Sequence, residues 1–153
     1  MSSTVSSSTY PRARTADETG SLAALALASV ALAGMAYCHI RDVGMKFDEH
    51  VYYMAGLFCC NIALSLALIP ALILSESRGS ARTRQVMWAA TAGLTAATIV
   101  GFLWSRTIGF PQMADHIGEW DTLGITSLVV EGILFAIGLV MFTHVARTRV
   151  PRS

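Results

Sequence analysis

Val51–Leu74 reads VYYMAGLFCCNIALSLALIPALIL, a run without one charged side chain. About 20 apolar residues suffice to cross the hydrocarbon core of a bilayer, so this stretch is a membrane span. Three more stretches match it in length and hydropathy: Ser21–Ile40, Gln85–Ser105 and Thr122–Val145. In hydrocarbon an open sheet edge or an irregular loop leaves backbone groups unpaired, so the four spans must be helices. The expected fold is therefore all-α, an integral membrane four-helix bundle over residues 21–146.

Composition agrees. Hydrophobic residues make up 54% of the chain and charged residues 14%, against about 25% charged in soluble domains. Eleven lysines and arginines against ten acids give a net charge of +1, too little surplus to hold a polyanion, so nucleic acid is excluded as a partner. Three cysteines without a CxxC pair make neither a disulfide framework nor a structural zinc site. Between the spans lie only short connections. Residues 1–20, rich in serine and threonine, read as a disordered tail, and 147–153 as a short basic tail.

The basic residues set the orientation. Arg12, Arg14, Arg78, Arg82, Arg84, Arg147, Arg149 and Arg152 fall on one side, and only Arg41, Lys46 and Arg106 on the other. The excess marks the cytoplasmic side, so both termini are expected there, in a bacterial inner membrane. A competing reading takes Ala31-Leu32-Ala33, followed by Gly34, as a signal-peptidase site. Asp17 and Glu18 before the apolar run, and its continuation to Ile40, favour an uncleaved span.

In the third span Ala89, Gly93, Ala97 and Gly101 recur every fourth residue and form a small-residue seam, expected to let a neighbouring helix approach closely. Beside it run Thr91, Thr95, Thr98 and Ser105, hydroxyls that can bond their own backbone. The fourth span carries Glu131, about 13 Å below its outer end at the helical rise. A carboxylate at that depth must face the bundle interior or be protonated. Asn61 of the second span and Thr95 or Thr98 of the third reach nearly the same level. The layer reads either as an interhelical hydrogen-bond clamp or as a relay or ligand site, and no basic partner for Glu131 is evident within the membrane.

His39 at the end of the first span and His50 at the start of the second are expected at one level, joined by a ten-residue loop, Arg41–His50. Met35 and Met54 lie one turn below them, and Glu49 is adjacent. Imidazole with thioether suits copper(I), and imidazole with carboxylate suits zinc. Haem between the two histidines is less favoured, since no CxxCH sequence is present. Cys38 lies too far from Cys59 and Cys60 in depth for a disulfide.

The third connection opens Trp104-Ser105-Arg106-Thr107-Ile108-Gly109-Phe110-Pro111 and closes Glu119-Trp120-Asp121-Thr122. Its tryptophans read as interfacial anchors, Asp121 or Thr122 as the next helix cap, and Arg106 as a partner for Asp115, Glu119, Asp121 or lipid phosphate. The string from Trp104 to Pro111, the acidic loop, Glu131 in the next span and Asp48-Glu49-His50 before the second resemble a group of small bacterial four-span membrane proteins without assigned function. The likeness covers most of residues 36–135. It implies a shared constellation of Arg106, His50 and Glu131, and no activity.

No GxSxG, HExxH, GxxxxGK or GxGxxG motif occurs, so catalysis has no sequence support. The leading expectation is a small binding, sensing or accessory subunit whose outward-facing polar pocket uses His39, Glu49, His50, Arg106 and Glu131. The alternative is a proton or metal-ion transporter component using Glu131, and the third a metal-dependent or redox enzyme. The lipid bilayer is the expected partner, with a homo-oligomer or a larger membrane complex a further expectation for so small a bundle.

Overall fold

The computed structural model describes residues 16–148; the remainder of both expected tails, 1–15 and 149–153, lies outside the described residues. Four helices account for most of the rest: α1 (Ala16–Asp48), α2 (Tyr52–Arg78), α3 (Ala81–Thr107) and α4 (Thr122–Arg147), with a single 3-10 turn at Ala114–His116 between the last two. All four are long and apolar enough to cross a membrane. The chain is an all-α, multi-pass membrane protein.

The helices are longer than the apolar runs inside them, because a helix needs hydrophobic residues only where lipid surrounds it. This corrects two expectations. Residues 16–20, read as tail, form the start of α1. The ten-residue loop Arg41–His50 is not a loop: α1 continues to Asp48. It stops in a Schellman turn with His50 in the left-handed region at φ 59°, Val51 N–H donating to Lys46 O at 3.0 Å and His50 N–H to Phe47 O at 3.1 Å. At the other helix starts, Ser80 accepts from Thr83 N–H at 3.1 Å and Asp121 from Gly124 N–H at 2.6 Å, so Asp121 rather than Thr122 caps α4.

The helices stand in a ring in chain order. Each packs on its two neighbours and none on the helix diagonally opposite, with α2 and α3 the least closely packed pair. One end of the bundle holds the termini and the α2–α3 turn; the other, here the loop end, holds the α1–α2 turn and the α3–α4 connection. Large apolar side chains such as Val30, Tyr37, Leu57, Val100, Val129 and Val140 point outward, as lipid permits. Toward the termini end Ala28, Leu32, Met35, Leu72, Trp88 and Leu134 form one buried cluster, beyond which a cavity of about 660 Å³ opens at the end itself, lined by Ser21, Glu76, Arg84 and His144 among others. A smaller cluster of Val51, Met54 and Met113 closes the loop end.

The seam expected on α3 is turned the other way. Ala89, Gly93 and Ala97 are exposed, and a Cβ added at Gly93 or Gly101 would meet nothing within 4 Å. Trp88, Thr91 and Thr95, on another face, are the fully buried residues of that helix. The close approach between α3 and α4 instead uses Gly138, where an added Cβ would lie 3.1 Å from the Cβ and backbone N of Ala92. Gly138→Val is therefore expected to force the two helices apart and cost about 1–3 kcal/mol, whereas Gly93→Val is neutral. Thermal unfolding of the two variants in one detergent checks this, and equal midpoints would refute it.

Candidate functional site

Every helix contributes one polar side chain at one depth. His39 stands nine residues from Asp48, Asn61 nine from Tyr52, Thr98 nine from Thr107 and Glu131 nine from Thr122, each about 13–14 Å below the loop end at the helical rise. The four meet as two pairs. Between α2 and α3, Asn61 Nδ2 donates to Thr98 Oγ1 at 2.8 Å, and Ser65 Oγ donates to the Asn61 carbonyl at 2.7 Å. Between α1 and α4, His39 Nε2 lies 3.6 Å from Glu131 Oε1.

Glu131 is 1% exposed and accepts from Ser127 Oγ at 2.9 Å, one turn earlier on the same helix. His39 is 8% exposed, with Phe58 tilted against its ring at 4.9 Å between centroids. At 3.6 Å the contact with Glu131 is too long for a hydrogen bond, and His39 Nε2 has no hydrogen-bond partner although it is buried. The basic partner that Glu131 lacked in the sequence is thus His39. It was misplaced at the membrane edge because α1 was expected to end at Ile40.

A cavity of about 570 Å³ runs from about one turn beyond this layer, at Leu64 and Leu94, toward the loop end. His39, Asn61, Thr98, Ser127 and Glu131 line its floor, Leu57, Phe58, Leu94 and Phe102 its walls, and Asp42, Lys46, Arg106 and His116 its mouth. That size is ordinary for a small-molecule site, and so is the combination of apolar walls with a few convergent polar groups.

The mouth is bridged by charge. Lys46, 4% exposed, reaches Glu49 Oε2 at 2.7 Å and His116 Nε2 at 3.0 Å. An ammonium has no acceptor, so this bond makes Nε2 the accepting nitrogen and puts the His116 proton on Nδ1, 3.9 Å from Glu119 Oε2. Arg106 Nη2 binds Asp121 Oδ2 at 2.7 Å and Nη1 approaches the His116 carbonyl at 3.4 Å, while the guanidinium lies 5.1 Å from the Phe102 ring centroid. Tyr53 donates to the Pro111 carbonyl. Together these bonds hold the α3–α4 connection against α1 and α2.

Several expected site residues fall elsewhere. Thr95 is fully buried and bonds Thr91 O at 2.9 Å, so it offers nothing to the layer. Met35 packs in the apolar cluster of the termini end, and only Met54 of the two methionines reaches the cavity. His50 is exposed at the α1–α2 turn, edge-on to Tyr52 at 5.8 Å, more than two helical turns from the level of His39. The expected copper or zinc donors His39, His50, Glu49, Met35 and Met54 therefore do not converge, and among the described residues no group of three or more His, Cys, Asp or Glu is placed to hold a metal ion. Nor do Arg106, His50 and Glu131 form one constellation: Arg106 and Glu131 line the same cavity at different depths, and His50 lies outside it.

Sequence reasoning puts Asp42, Lys46 and His116 on the outer face without assigning them to the pocket whose mouth they line, and it misses Glu76 at the far end. Glu76 accepts from Trp88 Nε1 at 2.7 Å and lies 3.8 Å from Arg84 Nη1, tying α2 to α3. Comparison with protein-family profiles, with curated proteins and with solved structures gave no match.

Proposed function

We propose that this protein is a small ligand-binding subunit of a bacterial inner membrane, a sensing or accessory component whose outward-facing cavity receives a small molecule against His39 and Glu131. The observation that carries the reading is a buried imidazole and a buried carboxyl side by side at the floor of a cavity of about 570 Å³. Buried ionisable groups are costly in a membrane interior and are retained there for a use. The orientation in this reading is supported by arginine placement: Arg78, Arg82, Arg84 and Arg147 lie at the termini end, and an excess of basic residues favours the cytoplasmic side for that end and the outer side for the cavity mouth. The exposed Ala89 and Gly93 favour assembly with a second copy or a larger membrane protein, since small residues suit helix–helix contact.

The alternative, a proton or metal-ion transporter component, gains from the His39–Glu131 pair, because a carboxyl group with a basic neighbour is a better relay than one alone. It is disfavoured by the fully buried Leu32, Met35, Leu134 and Trp88, which fill the bundle between that pair and the termini end. Native mass spectrometry of the full chain, with elemental analysis of the same preparation, separates the readings. The expected result is one small organic molecule per chain. Stoichiometric copper or zinc, lost on replacing His39, would displace the binding reading in favour of metal handling. A chain with nothing bound in lipid or detergent would remove its support.

A further inference from the structure

Resting on that binding function, we propose that the ligand is a bilayer amphiphile, with one apolar tail and an uncharged hydroxyl-bearing head, which reaches the cavity sideways between α2 and α3. Part of the cavity wall is itself exposed: Leu57, Cys60 and Leu64 on α2 and Ala97 on α3 line the cavity and are open on the outside of the bundle. Leu64 and Ala97 lie near the middle of their helices. At that level the surroundings of a spanning bundle are hydrocarbon, not water. The gap falls between the two least closely packed neighbours, where the Asn61–Thr98 bond is the one hydrogen bond among the described residues that joins α2 to α3 at this level, and Gly101 leaves open space beside it. By contrast, the loop end is crossed by the Lys46–His116 and Arg106–Asp121 bonds.

The floor selects the head. His39 Nε2 is buried without a hydrogen-bond partner, and Glu131 accepts only the Ser127 hydroxyl among the hydrogen bonds of the described residues. A hydroxyl both donates and accepts, so one such group can give its proton to Glu131 and take a bond from His39. A charged head of either sign would have to cross hydrocarbon to arrive, at a cost of several kcal/mol. An anionic head would then lie beside Glu131, because the cations at the mouth, Lys46 and Arg106, are already paired. A tail leading from this floor through the gap would end among lipid chains, which is why one chain and not a transmembrane helix is the occupant: no helix can reach a floor enclosed by four others.

The test uses the full chain in lipid nanodiscs, with farnesol as the uncharged probe and palmitate at neutral pH as the anionic one, read by native mass spectrometry. Farnesol is expected to bind once per chain and palmitate not. Ala97→Trp, which places an indole in the gap where the tail would lie, should weaken farnesol at least about tenfold, and Leu64→Trp should do the same from the opposite side. Ala90→Trp, two turns away on the same helix, exposed and outside the cavity lining, should leave binding unchanged. Palmitate binding as well as farnesol, or indifference to both gap variants, would overturn the proposal. So would a change of subunit count in Ala97→Trp without loss of farnesol, which would assign the gap to a partner helix. A water-soluble ligand that co-purifies and persists in Ala97→Trp would overturn lateral access while leaving the binding function intact. A chain that carries nothing and takes no farnesol would remove both.

Discussion

Trp88→Ala is expected to be the most destabilising truncation in the bundle, lowering its stability by about 3–5 kcal/mol. Trp88 is the largest side chain that is fully buried. It sits in the apolar cluster of the termini end with Leu32, Leu72 and Leu134, and its indole N–H donates to Glu76 Oε1 at 2.7 Å. Inside a bilayer, lipid is as apolar as leucine, so the loss is not one of hydrophobic burial. It is the loss of dispersion contacts across a cavity that neighbouring helices cannot collapse into, together with one hydrogen bond to a carboxylate that still has Arg84 at 3.8 Å and Ser21 Oγ at 3.5 Å. Trp88→Phe, which keeps most of the volume and removes the bond, should cost about 1–3 kcal/mol. Trp104→Ala, at an exposed tryptophan, should cost less than about 0.5 kcal/mol. Unfolding titrations of the three variants in one mixed micelle would show the order, and a Trp88→Ala midpoint equal to that of Trp104→Ala would refute it.

That tryptophan illustrates what the sequence displays and what it conceals. Four spans are legible because hydropathy summed over twenty residues is a large signal: α3 and α4 enclose the runs expected for them, and α2 all of its run but Val51. The ends of the helices are not, because nothing in a hydropathy window distinguishes a helix that stops at the membrane surface from one that continues into water. For α1 this error of eight residues moved His39 from the middle of the bundle to its edge and hid its neighbour Glu131. Counting inward from the true helix ends puts His39, Asn61, Thr98 and Glu131 at one level. Three of those four were already legible, since α2, α3 and α4 end near their apolar runs. The small stripe of α3 fails for another reason. Periodicity shows which residues share a face, but not whether that face meets a helix or lipid, and both are apolar. Trp88, Thr91 and Thr95 occupy the inner face because the large indole finds its acceptor on α2 and the threonine hydroxyls satisfy themselves on their own backbone.

Glu131→Leu is expected to abolish ligand binding while changing stability by less than about 1 kcal/mol. A clamp and a site differ in what this substitution does. In a clamp, the carboxyl is retained for the bonds it makes, and its loss destabilises the bundle. Here His39 Nε2 is 3.6 Å away and forms no hydrogen bond to it, so removing the carboxyl strands no donor on α1. Ser127 loses its acceptor but can turn to the carbonyl one turn earlier, as Ser65 and Thr95 already do. Removing a buried carboxyl that accepts one hydrogen bond also removes its cost of burial, so the two changes largely offset. Glu131→Gln is the diagnostic partner of this variant. Its amide oxygen can still accept from Ser127 and from a ligand hydroxyl, so binding should weaken by only about 0.5–1.5 kcal/mol, without vanishing. A proton relay would behave otherwise, because an amide cannot take up and release a proton, and flux into vesicles would stop completely in Glu131→Gln. Retained ligand occupancy in Glu131→Gln, lost occupancy in Glu131→Leu and near-equal stability of both would together identify Glu131 as a group kept for its ligand. Equal destabilisation of both variants, with no change in occupancy, would make it a clamp instead.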